Sequence, residues 1–297
     1  MPAAETLRIP RFPRCERAAA ALTIPARSHR PRHGRPLVMG VLNVTPDSFS
    51  DGGDFLDPDA ATARGLQMVK EGAGVIDICG VSTRPGADVV PVDEELRRVL
   101  PVVKRLAAIV QVPLSIDTSS AEVAAQALAA GASIINDVTA LRGDPRMAQV
   151  AARARATVIL MHMRGSPQTM QRRPRYRHVV EEVAAFLAAA AARAQAEDIA
   201  RARILLDPGL GFGKTATHNL ELLRGLPRLG ALGFPLVLGP SRKSFIGAIL
   251  RLEAPDRLAG TLACVAHAQR YGVAMIRVHD VQPAVHLLDM LGAIEQS

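Results

Sequence analysis

The stretch Arg203-Ile204-Leu205-Leu206-Asp207-Pro208-Gly209-Leu210-Gly211-Phe212-Gly213-Lys214-Thr215 decides the fold. Three apolar residues run straight into Asp207, and a proline and three alternate glycines follow. A short apolar run bounded by breakers reads as a strand buried on both faces, as in a parallel sheet, which delivers Asp207 to its carboxyl end. Glycines at that end let a flat or anionic ligand approach the backbone. The ending Gly213-Lys214-Thr215 invites a phosphate-loop reading, but that pattern needs a glycine where Pro208 stands. The dinucleotide pattern also fails, because these glycines alternate. Lys214 then reads as a solvated side chain.

The same strand-then-polar-end unit recurs along the chain. Strand readings fall at 37–43, 74–79, 112–117, 133–138, 156–162, 203–207, 235–239 and 273–278. Between and after them, helical periodicity covers 59–72, 93–109, 119–130, 145–154, 177–200, 217–227, 255–271 and 281–291. The run Ser119-Ser120-Ala121-Glu122 has the spacing of a helix-starting capping box. Strict alternation of eight strands and eight helices predicts an α/β fold, a single (β/α)8 TIM barrel, with an open doubly wound sheet as the alternative. The loops after the first two strands are long and rich in Gly, Pro, Ser and Asp, as binding loops or lids are.

Composition supports one large core. The chain has 297 residues, 48% of them hydrophobic, but only 3% aromatic and no Trp, so Ala, Val, Leu and Ile must fill the interior. Residues 1–36 carry eight Arg against two Glu and six prolines, so most of the net charge of +8 sits there. This basic Arg/Pro-rich extension reads as a disordered arm, and 37–297 as the barrel domain. Without aromatic platforms among the arginines, nucleic-acid binding is not expected. There is no membrane-spanning run, and three scattered cysteines (Cys15, Cys79, Cys264) suit a reducing compartment, so the expectation is cytoplasmic.

Barrel enzymes react at the carboxyl ends of their strands. There the sequence places Asn43, Asp77, Thr83, Arg84, Asp117, Asn136, His162, Asp207, Arg242, Lys243, Ser244, Arg277 and His279. Asp117, Asn136, Asp207 and Lys243 combine acceptors, an amide and an ammonium, which suits a planar, nitrogen-rich heterocycle such as a pterin or purine. Asn43, Thr83, Arg84, Arg242, Ser244, Arg277 and His279 suit a phosphate or diphosphate with Mg²⁺ on oxygen ligands. Asp77 and Asp117 also suit helix caps or ion pairs, and His279 an ordinary capped histidine.

Several strings, taken together, resemble the dihydropteroate synthase family. They are Asn43-Val-Thr-Pro-Asp-Ser-Phe-Ser-Asp-Gly-Gly53, Ser82-Thr-Arg-Pro-Gly86, His162-Met-Arg-Gly-Ser-Pro-Gln-Thr-Met-Gln171, Asp207-Pro-Gly-Leu-Gly-Phe-Gly-Lys-Thr215, Ser241-Arg-Lys-Ser-Phe-Ile-Gly247 and Arg277-Val-His279. The resemblance implies a pterin-binding barrel of folate biosynthesis, the target of sulfonamides. Its reaction joins (7,8-dihydropterin-6-yl)methyl diphosphate to 4-aminobenzoate, giving 7,8-dihydropteroate and diphosphate. It implies that Asp117, Asn136, Asp207 and Lys243 hold the pterin. Asn43 would be a Mg²⁺ ligand, with Arg277 and His279 on the diphosphate. Thr83, Arg84 and Ser244 would border the aminobenzoate and diphosphate, with Phe212 and Pro46 as ring walls. Asp117, Asp207, Lys243, Arg277 and His279 would carry the chemistry, and the enzyme would be a homodimer.

The chain departs from the family where Cys79-Gly80-Val81 replaces the common Gly-Gly-Glu before Ser82. A methyltetrahydrofolate–corrinoid methyltransferase would share the pterin residues but needs no diphosphate site. A non-catalytic pterin-binding paralogue would have lost the anion residues, which are present here.

Overall fold

A computed structural model describes residues 35–45, 57–82, 90–166 and 168–296. The expectations for the basic arm, for the segments 46–56 and 83–89, and for Pro46, Thr83 and Arg84 lie outside these residues.

In chain order the elements are β1 (Leu37–Asn43), α1 (Pro58–Lys70), β2 (Val75–Cys79), α2 (Val92–Ile109), β3 (Leu114–Asp117), α3 (Ala121–Ala129) and β4 (Ile134–Asp137). There follow α4 (Met147–Ala154), β5 (Thr157–Met161), α5 (Val179–Ala196), β6 (Ile204–Asp207), α6 (Ala216–Arg224), α7 (Leu226–Gly230) and β7 (Val237–Leu238). The last are α8 (Ser244–Leu250), α9 (Leu258–Arg270), β8 (Met275–Val278) and α10 (Val281–Gln296). The short helices α7 and α8 are additions to the sequence reading. Each lies within a few residues of the two-residue strand β7, where periodicity is too brief to register.

All strands are parallel, in the order β6-β5-β4-β3-β2-β1-β8-β7. The ring closes through a single parallel bridge, Leu206 to Leu236, with the Leu206 amide donating to the Pro235 carbonyl at 3.0 Å. The barrel, not the open sheet, is therefore the fold. Alternation along each strand separates two cores. Outward residues such as Leu42, Ile76, Ile116, Ile135, Leu160 and Leu206 pack under the helices. Inward residues Met39, Val75, Ile134, Ile159, Leu205, Val237 and Met275 fill the lower interior. Two positions further along these strands, at the carboxyl ends, the inward residues include Asp77, Asn136, Asp207 and Arg277. Parity thus sends the polar groups to the upper barrel.

Helix starts follow the local sequence. Thr215 caps α6 in a capping box with His218, so the Gly213-Lys214-Thr215 ending starts a helix and is no phosphate cradle. At α3 the cap is Ser120, whose hydroxyl accepts from the Val123 amide. The capping-box spacing from Ser119 is not used, because Ser119 donates instead to Asp137 and Glu122 accepts from Gln126.

Candidate active site

Asp77, Asp117, Asn136 and Asp207 are between 0% and 6% exposed. Carboxylates so placed are costly unless paired. The Arg277 guanidinium supplies the pair: Nε donates to Asp77 Oδ2 at 2.7 Å and Nη2 to Asp117 Oδ2 at 2.8 Å. Asn136 Nδ2 donates to the same Asp77 oxygen at 3.1 Å. The register brings these residues together: Asp117 lies level with Asn136 and with Cys79, two positions beyond Asp77. Nη1 of Arg277 has no partner among the described residues, and neither has Asp77 Oδ1, a fully buried oxygen. Burial pushes the Asp117 carboxyl up to about 7, against the pull of Arg277.

Asp207 ends β6 on the opposite side. Its Oδ1 accepts from the Gly209 amide at 2.7 Å. Burial raises this carboxyl too, while that amide and the charges of Lys243, Arg277 and Lys214 draw it down. Gly209 sits at φ +67°, and a Cβ there would meet the His162 carbonyl oxygen at 2.0 Å. Only glycine makes this turn. The loop so formed carries Phe212, and the Lys243 ammonium lies 4.1 Å from the centre of its ring.

Above these groups lies a cleft of about 710 Å³. Its lining includes Asn43, Cys79, Asp117, Phe212, Ser241, Arg242, Lys243, Ser244, Arg277 and His279. Asn136 and Asp207 are buried beneath it. Arg242 pairs with Asp280, its Nε 2.9 Å from Oδ2. Ser241 orients His279. Its hydroxyl oxygen accepts from the His279 amide at 3.2 Å and hydrogen-bonds with Nδ1, 2.9 Å away. Burial, with Arg277 and Arg242 nearby, lowers His279 to about 4, so it is neutral at pH 7.

The described members of the two groupings expected from sequence therefore meet at one cleft, joined by Arg277. Asp77, for which the sequence allows a cap or an ion pair, is the ion-pair partner of Arg277. Sequence reading underestimates two residues. Ser241 orients His279. Lys214 was read as solvated; it is only 3% exposed, folded back under the glycine loop. Alternation from Cys79, level with Asp117, could have flagged Asp77; no local signal marks Lys214.

Buried carboxylates can hold a nitrogen heterocycle by its N–H edge while the neighbouring arginines hold an anionic leaving group, the arrangement of a barrel enzyme of the transferase kind. The model of the family described as pterin binding enzyme matches residues 39–279, and the chain belongs to that family, among its dihydropteroate synthases. The dihydropteroate synthase of Synechocystis is 47% identical over 261 residues, 88% of this chain and 90% of that protein. The structure of Xanthomonas albilineans dihydropteroate synthase with 4-aminobenzoic acid superposes with a TM-score of 0.84 at 47% identity, covering 89% of this chain and 94% of that one. The same organism's enzyme in complex with 7,8-dihydropteroate gives 0.80 at 45% identity, covering 89% and 95%.

Proposed function

We propose that the cleft joins (7,8-dihydropterin-6-yl)methyl diphosphate to 4-aminobenzoate. The observation that carries this reading is the Asp77–Arg277–Asp117 clasp, which puts acceptors and a cation at a cleft that Phe212 and Lys243 also line. The pterin's amino and ring N–H groups pair with Asp207. Asn136 and Asp117 complete that edge, and Lys243 covers the ring beside Phe212. Arg277 and His279 face the diphosphate, with Ser244 beside them.

The aminobenzoate amine is neutral and nucleophilic at pH 7, so little proton transfer is required. The methylene C–O bond breaks and the electron pair leaves with diphosphate. Positive charge develops on the pterin, where Asp207 and Asp117 oppose it at no reorganisation cost. The amine nitrogen then forms the C–N bond and releases its proton to water.

Mg²⁺ fits a limited role. It keeps several waters and takes one or two protein ligands plus substrate phosphates. Asn43 offers one neutral oxygen on the cleft wall. The trio Asp77, Cys79 and Asp117 is a poorer seat for it, with a soft thiol and two carboxylates already clasped by Arg277. Asn43 would hold the ion and the ion would neutralise charge on the leaving diphosphate.

The apolar side chains that α9 and α10 leave exposed or border, Tyr271, Met290 and Ile294, support a homodimer through the C-terminal helices. The two described cysteines, Cys79 and Cys264, are unpaired and buried, which suits the cytoplasm. No described helix is long and apolar enough to cross a membrane. The test is a diphosphate-release assay with both substrates and Mg²⁺, repeated after chelation and on Asp207→Ala and Arg277→Ala. No dihydropteroate from the native chain, or full activity in both variants, would sink the assignment.

A further inference from the structure

The buried Lys214 has no part in the reaction as drawn, and it does not line the cleft. Its Nζ lies 3.0 Å from His162 Nδ1, 2.9 Å from the Gly209 carbonyl and 2.9 Å from the Phe212 carbonyl. The His162 carbonyl is a more distant fourth acceptor at 3.3 Å. Burial lowers the Lys214 ammonium to about 7 against the pull of Asp207, so charged and neutral forms are both populated at pH 7. The charged form has three N–H donors for the three close acceptors.

The anchors matter more than the count. Gly209 is the residue whose amide holds Asp207 Oδ1. Phe212 is the aromatic wall, with Lys243 against its ring. His162 follows β5 directly, and its own amide donates to the Asp207 carbonyl at 2.9 Å. Gly209 and Gly213, at φ +67° and +65°, press against the His162 and Arg164 carbonyl oxygens. The loop 208–213 is thus wrapped round an amino group that the chain itself supplies.

We propose that Lys214 is a positioning residue: a tethered internal hydrogen-bond donor that fixes the spacing between Asp207 and Phe212, and through it the affinity for both substrates. It rests on the pterin reading of the cleft. In its charged form it also draws the Asp207 carboxyl down against burial.

The experiment compares the native enzyme with Lys214→Met, which keeps length and burial but no donors, and Lys214→Gln, which keeps an amide with two. Binding of 6-hydroxymethylpterin is followed by its fluorescence, and KM for each substrate by diphosphate release. Met is expected to weaken pterin binding and raise KM for aminobenzoate by about tenfold or more, with Gln between Met and native and kcat changing less. A lysine that merely stabilises the fold would lower the melting temperature and leave both constants alone in the folded enzyme. Constants within about twofold of native in the folded variants overturn the proposal, as does a Gln variant worse than Met. Should Met not fold, Gln alone decides by the same twofold criterion. A native enzyme that binds no pterin would instead sink the reading of the cleft.

Discussion

Arg277 stands 200 residues along the chain from Asp77, yet its Nε donates to Asp77 Oδ2 at 2.7 Å while its Nη2 reaches Asp117. Removing one partner of a buried pair costs about 3–5 kcal/mol, because the remaining charge stays desolvated. Asp77→Asn keeps the shape and loses the charge. It is expected to lower kcat/KM by roughly 100-fold, with pterin binding and the melting temperature falling together. A variant with native steady-state constants would mean that Asp117 alone holds Arg277.

His279 separates two ways of serving a leaving group. A neutral imidazole acts by hydrogen bonding, which an amide placed at similar reach can mimic. His279→Gln should therefore retain activity to within about tenfold, while His279→Ala loses on the order of 100-fold or more. Equal losses would point to a proton transfer that glutamine cannot perform.

Stability should fall on mild acidification through the buried histidines. Burial, then the Lys214 charge, lowers His162 to about 3, and burial lowers His279 to about 4. Between about pH 4 and 6.5 the unfolded chain binds protons that the folded chain refuses, so stability present above 6.5 drains away as pH drops. Asp117, raised by burial, contributes the opposite slope in its window from about 4 to 7, so native and His162→Gln must be compared, where that contribution cancels. Urea unfolding at pH 7 and pH 5 should show the native chain losing about 2 kcal/mol more than the variant. Parallel losses would place the His162 titration near its ordinary range.

Phe212 tests the division of the cleft. Phe212→Ala removes an aromatic wall and the ring against which Lys243 lies. KM for aminobenzoate is expected to rise about tenfold or more, with a smaller change for the pterin diphosphate. A larger effect on the pterin would move Phe212 to the heterocycle's side.

Much of this was legible in the chain. Strand β1 falls at 37–43 as read, because an apolar run from Leu37 to Leu42 that ends on Asn43 has few other uses. The barrel was legible from strict alternation, and Asp117, Asn136, Asp207 and Arg277 from their places at strand ends. Asp77 was harder: it lies two residues inside its strand, and only the register of β2 against β3 shows that it stands level with Ser115, just below Asp117. Lys214 was misread because lysine after a glycine loop is normally solvated. Its burial depends on three carbonyl and imidazole acceptors, two of them turned inward by positive-φ glycines, a geometry that no short motif encodes. Helices α7 and α8 escaped because periodicity needs more than five to seven residues to show itself.

The barrel's one-bridge closure has a bearing on the ligand. Between β6 and β7 the sheet has a seam with a single stitch, Leu206 to Leu236. Asp207 hangs from one lip of that seam, and Lys243 follows the other. A heterocycle gripped by both is a second stitch. Substrate recognition and circular integrity of the sheet are therefore coupled, and an occupied enzyme should keep the Leu206 amide proton from exchange far longer than an empty one.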